Sequence, residues 1–256
     1  MKLFDRAGGG LVPTVEALSI NEQLQPVFDT IDRIAQGSGA GGQPHAGKIG
    51  IVAPPTIAHR FLPPLIAEFA RSNPDLHVVF DVLASDALMT GIAESRFDIG
   101  LTDTVPAHDG IRTERLISTS AVCLLPRGHR LTAREEIHAQ DLADEPFISL
   151  SRRHSSRMVV DRLFDREGVP RKTIMEASTN VATAEFVRAG LGVALVNPFP
   201  IVGQLGDEVE VRPFLPEIPC SVNFLFAAAR PPSAATRAFT LAVRHAIEAG
   251  GFGKRG

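Results

Sequence analysis

The spacing of apolar residues changes several times along the chain, and each change marks an element. From Thr14 the step is three to four residues. Leu18, Leu24, Val27, Phe28, Ile31 and Ile34 fall on one stripe, behind Thr14 as N-cap and Glu16 in the first turn. Pro26 inside this run removes a backbone donor and predicts a kink. The run ends at Gln36, before GSGAGGQPHAG, a flexible glycine-rich linker. A helix with one apolar stripe needs a partner to cover it. The body of the same chain is one candidate; the same helix of a second copy is the other, and the linker favours it.

Beyond the linker the pattern alternates between strand and helix. KIGIVA (Lys48 to Ala53) reads as a buried strand, and Pro54-Pro55-Thr56 turns into a helix carrying Ile57, Phe61, Leu65 and Phe69. NPD stops that helix, LHVVFDV (Leu76 to Val82) is a second strand, Ser85 caps a helix to Glu94, and FDIGLT (Phe97 to Thr102) is a third strand. The order returns about a hundred residues later. PFISL (Pro146 to Leu150) is a strand, a helix follows with Met158, Val159, Leu163 and Phe164, and Gly168 ends it. TIMEAS (Thr173 to Ser178), a helix from Asn180 to Ala189 and VALVN (Val193 to Asn197) complete the second unit. Two strand–helix–strand–helix–strand units predict an α/β chain with two Rossmann-like lobes and a cleft between them. Ala121 to Leu125 is predicted to cross from one lobe to the other, and Val209 to Phe214 is a further strand. Ser221 to Ala229 and a helix from Ala234 to Glu248, with Phe239, Val243 and Ile247, are predicted to return to the first lobe.

In an open parallel sheet, ligands bind beyond the carboxyl ends of the strands. Those ends carry Thr56, Ser85, Thr102, Asp103, Ser149, Ser151, Asn180, Asn197 and Pro198. Helix starts there present N–H groups suited to a carboxylate or phosphate. Helix capping accounts for any one of these residues; the whole set points to a site for a small anion or zwitterion. Arg152, Arg153 and His154 are candidates for a charge clamp on a ligand carboxylate, against the alternative of a solvated loop.

Composition narrows the function. With 44% hydrophobic and 21% charged residues and a net charge of −3, nothing marks a nucleic-acid footprint. No apolar run predicts a membrane span and no signal-peptide core is visible, so the expected location is cytoplasmic. Cys123 and Cys220 are then expected as buried free thiols. The eight histidines are scattered, which predicts no metal site, and no cofactor is called for. Phosphate-loop, nucleophile-elbow and dinucleotide motifs are missing, and Asp98, Asp103 and Asp161 have solvated or capping roles by default. No feature argues for an enzyme.

One stretch sits oddly with this plan. MKLFDRAGGGLVPT reads as a tight loop at the very start of the chain, where a free end gains little from a turn. The order KLFDR…GLVPT, helix, linker, GKIGIVAPPTIAHRFLPPLIAEF, FDIGLTD, LPRGHRL, GLGVALVNP resembles the LysR-type transcriptional regulators, across nearly the whole chain. The resemblance implies a winged helix-turn-helix that binds DNA, a linker helix that dimerises, and a two-lobed inducer domain like that of periplasmic binding proteins. It makes residues 1–13 the end of the wing, 14–36 the linker helix, 37–46 a hinge and 47–256 the effector domain. One lobe would hold about 47–122 and 221–256, the other about 123–220. The DNA-reading helix would lie upstream of Met1, so promoter DNA becomes a partner only if that part is supplied. Arg6 matches a wing position that touches phosphate. FISL…R…D…F (Phe147 to Phe164) resembles the branch that regulates opine and amino-acid catabolism, which carries over Thr56, Ser85, Ser149 and Asn180 as cleft residues. The implied effector is an amino acid, opine or organic acid, and the implied assembly a dimer or tetramer. A free-standing solute-binding protein and a truncated partner of an intact regulator are the alternatives.

Overall fold

The computed structural model describes residues 3–7, 10–21, 24, 27, 47–59, 61–103, 108–152 and 154–250. Pro26, the hinge at 37–46 and Arg153 lie outside them. The N-terminal stretch expected as a loop is a hairpin. Strands β1 (Phe4–Ala7) and β2 (Gly10–Pro13) pair antiparallel, so Phe4 faces Pro13 and Ala7 faces Gly10. Thr14 then caps a helix, α1 (residues 15–21), accepting from Ala17 N at 3.2 Å as its sequence position predicts.

The first lobe is a five-stranded sheet. Its strands are β3 (Gly47–Ala53), β4 (Leu76–Val82), β5 (Ile99–Thr102), β6 (Ile111–Ser120) and β13 (Pro219–Ala227), in the order β4-β3-β5-β13-β6. β4 and β5 run parallel to β3, and β13 is antiparallel to both β5 and β6. Helices α4 (Ser85–Ala93) and α7 (Ala234–Ala249) pack on it, with Phe239, Val243 and Ile247 of α7 buried as predicted. A fully buried Phe contributes roughly 1.5–3 kcal/mol by leaving water, and Phe239 also meets Phe69 edge-on at 5.2 Å.

The helix expected from Thr56 through Phe69 is two pieces, α2 (Pro55–Ala58) and α3 (Leu62–Ser72). Pro63 and Pro64 are the reason. Neither can donate to a preceding turn, so both are tolerated only where a helix starts, and α3 begins at Leu62.

The second lobe repeats the plan with β7 (Val122–Pro126), β8 (Ile137–His138), β9 (Pro146–Leu150), β10 (Lys172–Ala177), β11 (Ala194–Val196) and β12 (Val209–Leu215). β10 and β9 pair parallel, and β9 meets the start of β11 through Ile148 N to Val193 O and Val193 N to Pro146 O, both 2.9 Å. The order β10-β9-β11-β7-β12 therefore mirrors that of the first lobe. Helices α5 (Ser155–Glu167) and α6 (Asn180–Arg188) cover it. On α5 the core face is Val160, Leu163 and Phe164, while Met158 and Val159 are exposed. Gly168 ends α5 at φ 66°, a left-handed turn that suits glycine.

Two crossovers join the lobes, β6 into β7 and β12 into β13. They run side by side: Ser120 pairs with Pro219, Val122 with Pro213, and Ala121 N donates to Ile218 O at 2.9 Å between them. Each lobe thus borrows its fourth strand from the crossing segments, which fixes a cleft beside the hinge.

Candidate functional site

Capping does not explain the small polar residues at the cleft. The N-cap positions of α2, α4 and α6 are Pro54, Ala84 and Thr179. Thr56, Ser85 and Asn180 stand inside their helices, Asn180 as the expected first residue of its helix, so the expected cap at Ser85 is one residue off. Thr179 is the working cap of α6, accepting from Ala182 N at 3.1 Å. Asn180 is buried and its Oδ1 has no partner among the described residues; Ser149 Oγ and Ser151 Oγ are likewise buried and unpartnered among them. Burying a polar atom unpaired costs about 1–3 kcal/mol, and here three such atoms occur together, in β9, in the connection after it and at the start of α6. Thr56 is buried, Ser85 is half-buried, and α2 touches α6, bringing the first lobe's Thr56 helix against the second lobe's Asn180 helix.

Other predicted residues have structural work. Asn197 Oδ1 accepts from Thr119 Oγ1 at 3.2 Å and Phe199 N at 3.1 Å, which ties the end of β11 to the crossover strand β6. Thr102 is buried at the end of β5, and Pro198 is half-buried. Asp98 accepts from Gly50 N at 2.8 Å and Arg230 at 3.3 Å, a bracket between strands. Arg152 is exposed on the connection after β9, and Arg6 falls on β1 with its side chain outside the described set.

Asp103 follows Thr102 and lies within electrostatic reach of His154 of the second lobe. Burial pushes its carboxyl up; His154, from the loop before α5, pulls the other way less strongly. His154 is itself oriented by a 2.8 Å bond between Nε2 and Ser178 O. Cys220, at the start of β13, is raised to about 12 by burial and by the Asp103 charge, while burial pushes Cys123 up further. Both thiols are free; Cys123 is buried as expected, Cys220 only partly.

A small open pocket, with room for little more than a water, lies beside β9, α5 and the crossovers. Ser149 and Asn197 line it, with apolar walls from Phe147, Val160, Leu195 and Ile218. Ser156, Arg157 and Cys220 also line it, and sequence reasoning missed all three. Arg157 was visible only as an i, i+4 partner of Asp161 on α5; nothing local shows that Glu176, on β10, completes its shell.

The model of the LysR substrate binding domain matches residues 42–248. The transcriptional activator protein LysR of Escherichia coli (strain K12) is 32% identical over 240 residues, covering 94% of this chain and 77% of that protein. The chain belongs to the LysR family. HinK, a LysR family transcriptional regulator from Pseudomonas aeruginosa, shares the fold at a TM-score of 0.70 and 22% identity, over 92% of this chain and 81% of its own. The effector binding domain of QuiR, solved in complex with shikimate, matches at 0.66 and 20% identity, over 80% and 98%. The chain is thus a LysR-type regulator with a two-lobed effector-binding domain, and the free-standing solute-binding alternative is not favoured. These relatives are regulators rather than enzymes. Among the described residues, no group of three or more His, Cys, Asp or Glu forms a metal site, and no helix is long and apolar enough to cross a membrane.

Proposed function

We propose that this LysR-family protein senses a small carboxylate of amino-acid-like chemistry (an amino acid, opine or organic acid) held between its two lobes. The observation that carries the reading is the trio of buried atoms without a partner among the described residues, Ser149 Oγ, Ser151 Oγ and Asn180 Oδ1. Hydroxyls donate to a carboxylate, while Asn180 Oδ1 and Asp103 accept from an ammonium. Thr56 and Ser85 bring donors from the opposite lobe. The QuiR domain offers a parallel, since its bound shikimate is a carboxylate.

Closure of the lobes on the effector shifts the population of one hinge state and so changes how subunits pack. Residues 14–36 serve as the linker helix of a dimer or tetramer, consistent with the exposed Val15, Leu18, Leu24 and Val27. Residues 1–13 form the wing hairpin, with Arg6 reaching a phosphate, and 37–46 the hinge before the effector domain. Promoter DNA is the partner of the assembled regulator in the cytoplasm.

A thermal-shift screen against amino acids, opines and organic acids, with calorimetry on hits, tests the reading. A ligand at a hundred times its Kd stabilises the fold by about 2.7 kcal/mol. The double variant Thr56→Val, Ser85→Ala is expected to weaken the hit; unchanged affinity removes both residues from the site.

A further inference from the structure

Helix α5 starts without help from its own sequence. Its N-cap is His154, whose side chain caps nothing, and its first turn carries no acidic residue. The free N–H groups and partial positive charge of such an end favour a carboxylate nearby. One comes from the other lobe. Thr102, the last residue of β5, pairs with Asn223 of β13, so Asp103 continues toward the start of β13, where Cys220 lies. Cys220 and the first turn of α5, Ser156 and Arg157, line one small pocket, which makes these segments neighbours across the lobes. Asp103 is accordingly within electrostatic reach of both Cys220 and His154. The His154 ring is fixed: its Nε2 lies 2.8 Å from Ser178 O, an atom that only accepts, so Nε2 carries the ring proton. Nδ1 has no partner among the described residues and is the atom that takes a second proton.

Resting on the hinged-lobe reading above, we propose that Asp103 and His154 form a proton-operated latch between the lobes, holding one proton while the cleft is closed and losing it as the cleft opens. One proton on the pair either sets an imidazolium against a carboxylate or leaves both groups neutral, and each state is tolerated with the lobes together. With no proton, the carboxylate faces a neutral ring and gains by moving out to water. The other ionisable side chains on the surrounding elements do not replace the pair. Cys220 stays a neutral thiol, Arg157 is bonded to Asp161 and Glu176, and His59 at the end of α2 is exposed. Arg152 and Arg153, next along the chain, keep their charge throughout. An effector ammonium would supply the same positive charge to Asp103 and so take the place of the proton.

The test is small-angle scattering of the ligand-free full chain from about pH 5.5 to about pH 8.5, with in-line size exclusion so that a single oligomeric state is compared. The wild-type radius of gyration is expected to grow as pH rises. Asp103→Asn, neutral at every pH, should stay at the compact radius throughout. His154→Gln should move the expansion to lower pH, because it removes the ion-paired state and leaves Asp103 to hold the proton alone. An expansion that Asp103→Asn keeps at the wild-type midpoint overturns the latch. If Asp103→Asn does not fold, His154→Gln carries the test, and a midpoint it leaves unmoved overturns the latch. A wild-type radius constant over the range also overturns it. That result removes the hinged-lobe reading as well only when a hit from the ligand screen leaves the radius unchanged too.

Discussion

Asp161 and Asp103 are two carboxylates pushed in opposite directions, and each sets a measurable pH dependence. Burial alone would raise Asp161, but hydrogen bonds from Arg171 and Arg157 outweigh it and hold the carboxyl below its usual 3.8. With the folded value below the unfolded one, its contribution is present above about pH 4 and lost as pH falls through the folded value. Asp161→Asn should therefore flatten the acid limb of stability. At pH 7 it should cost about 1–2 kcal/mol, the worth of bonds to charged groups reduced because Asp161 is a third exposed; urea melts at pH 7 and pH 3 check both. Asp103 has the reverse sign. Its folded carboxyl holds a proton more tightly than the unfolded one, so stability falls as pH rises from the unfolded value through the folded value. Asp103→Asn is expected to raise the ligand-free melting temperature at pH 7 while weakening effectors that carry an ammonium. The thiols give a third check. With Cys220 at about 12, about one molecule in ten thousand carries its thiolate at pH 8, so iodoacetamide should label native protein far more slowly than unfolded protein.

Element by element, the two strand–helix repeats were legible because period and punctuation agreed: β3, β4, β9 and β10 fall where the apolar runs are, and Gly168 stops α5 as its position implied. Misplacements came from residues whose roles depend on a neighbour in space. Pro63 and Pro64 restart a helix that hydrophobic spacing alone would carry through. Ala84 takes the cap position expected of Ser85, and Gly10 to Pro13 forms a strand because Phe4 to Ala7 lies opposite. The Arg157 network was invisible for the same reason: Leu150 O and Glu176, its partners beyond α5, come within reach only on folding. One glycine carries a sharp element-level prediction. A Cβ on Gly192 would stand 2.2 Å from Pro146 O, where β9 meets the start of β11. Backbone cannot yield as a side chain tip does, so Gly192→Ala should destabilise by about 1–3 kcal/mol. Amide exchange should speed up along β9 and β11 ahead of the first lobe.

At the scale of the molecule, the lobes meet where α2 touches α6, and two further couplings tie them together. One is the paired crossover at Ala121 and Ile218. The other is Phe199, which follows β11 of the second lobe yet packs in the core of the first, meeting Phe61 edge-on at 4.7 Å. Asn197 aims that segment by accepting from Phe199 N and from Thr119 of β6. The crossovers are backbone ladders and survive a side-chain change; the Phe199 ring does not. Phe199→Ala should cost about 3–5 kcal/mol as a buried aromatic truncation, and its conformational effect is separable from that cost. With the ring gone, only the crossovers and the α2–α6 contact hold the lobes, so small-angle scattering of the still-folded variant should give a larger radius of gyration than wild type. Effector binding should restore the wild-type value at the expense of affinity, because part of the binding energy then closes the cleft. An unchanged radius in ligand-free Phe199→Ala would make the ring a filler of the first core, and the crossovers would then set the cleft angle by themselves.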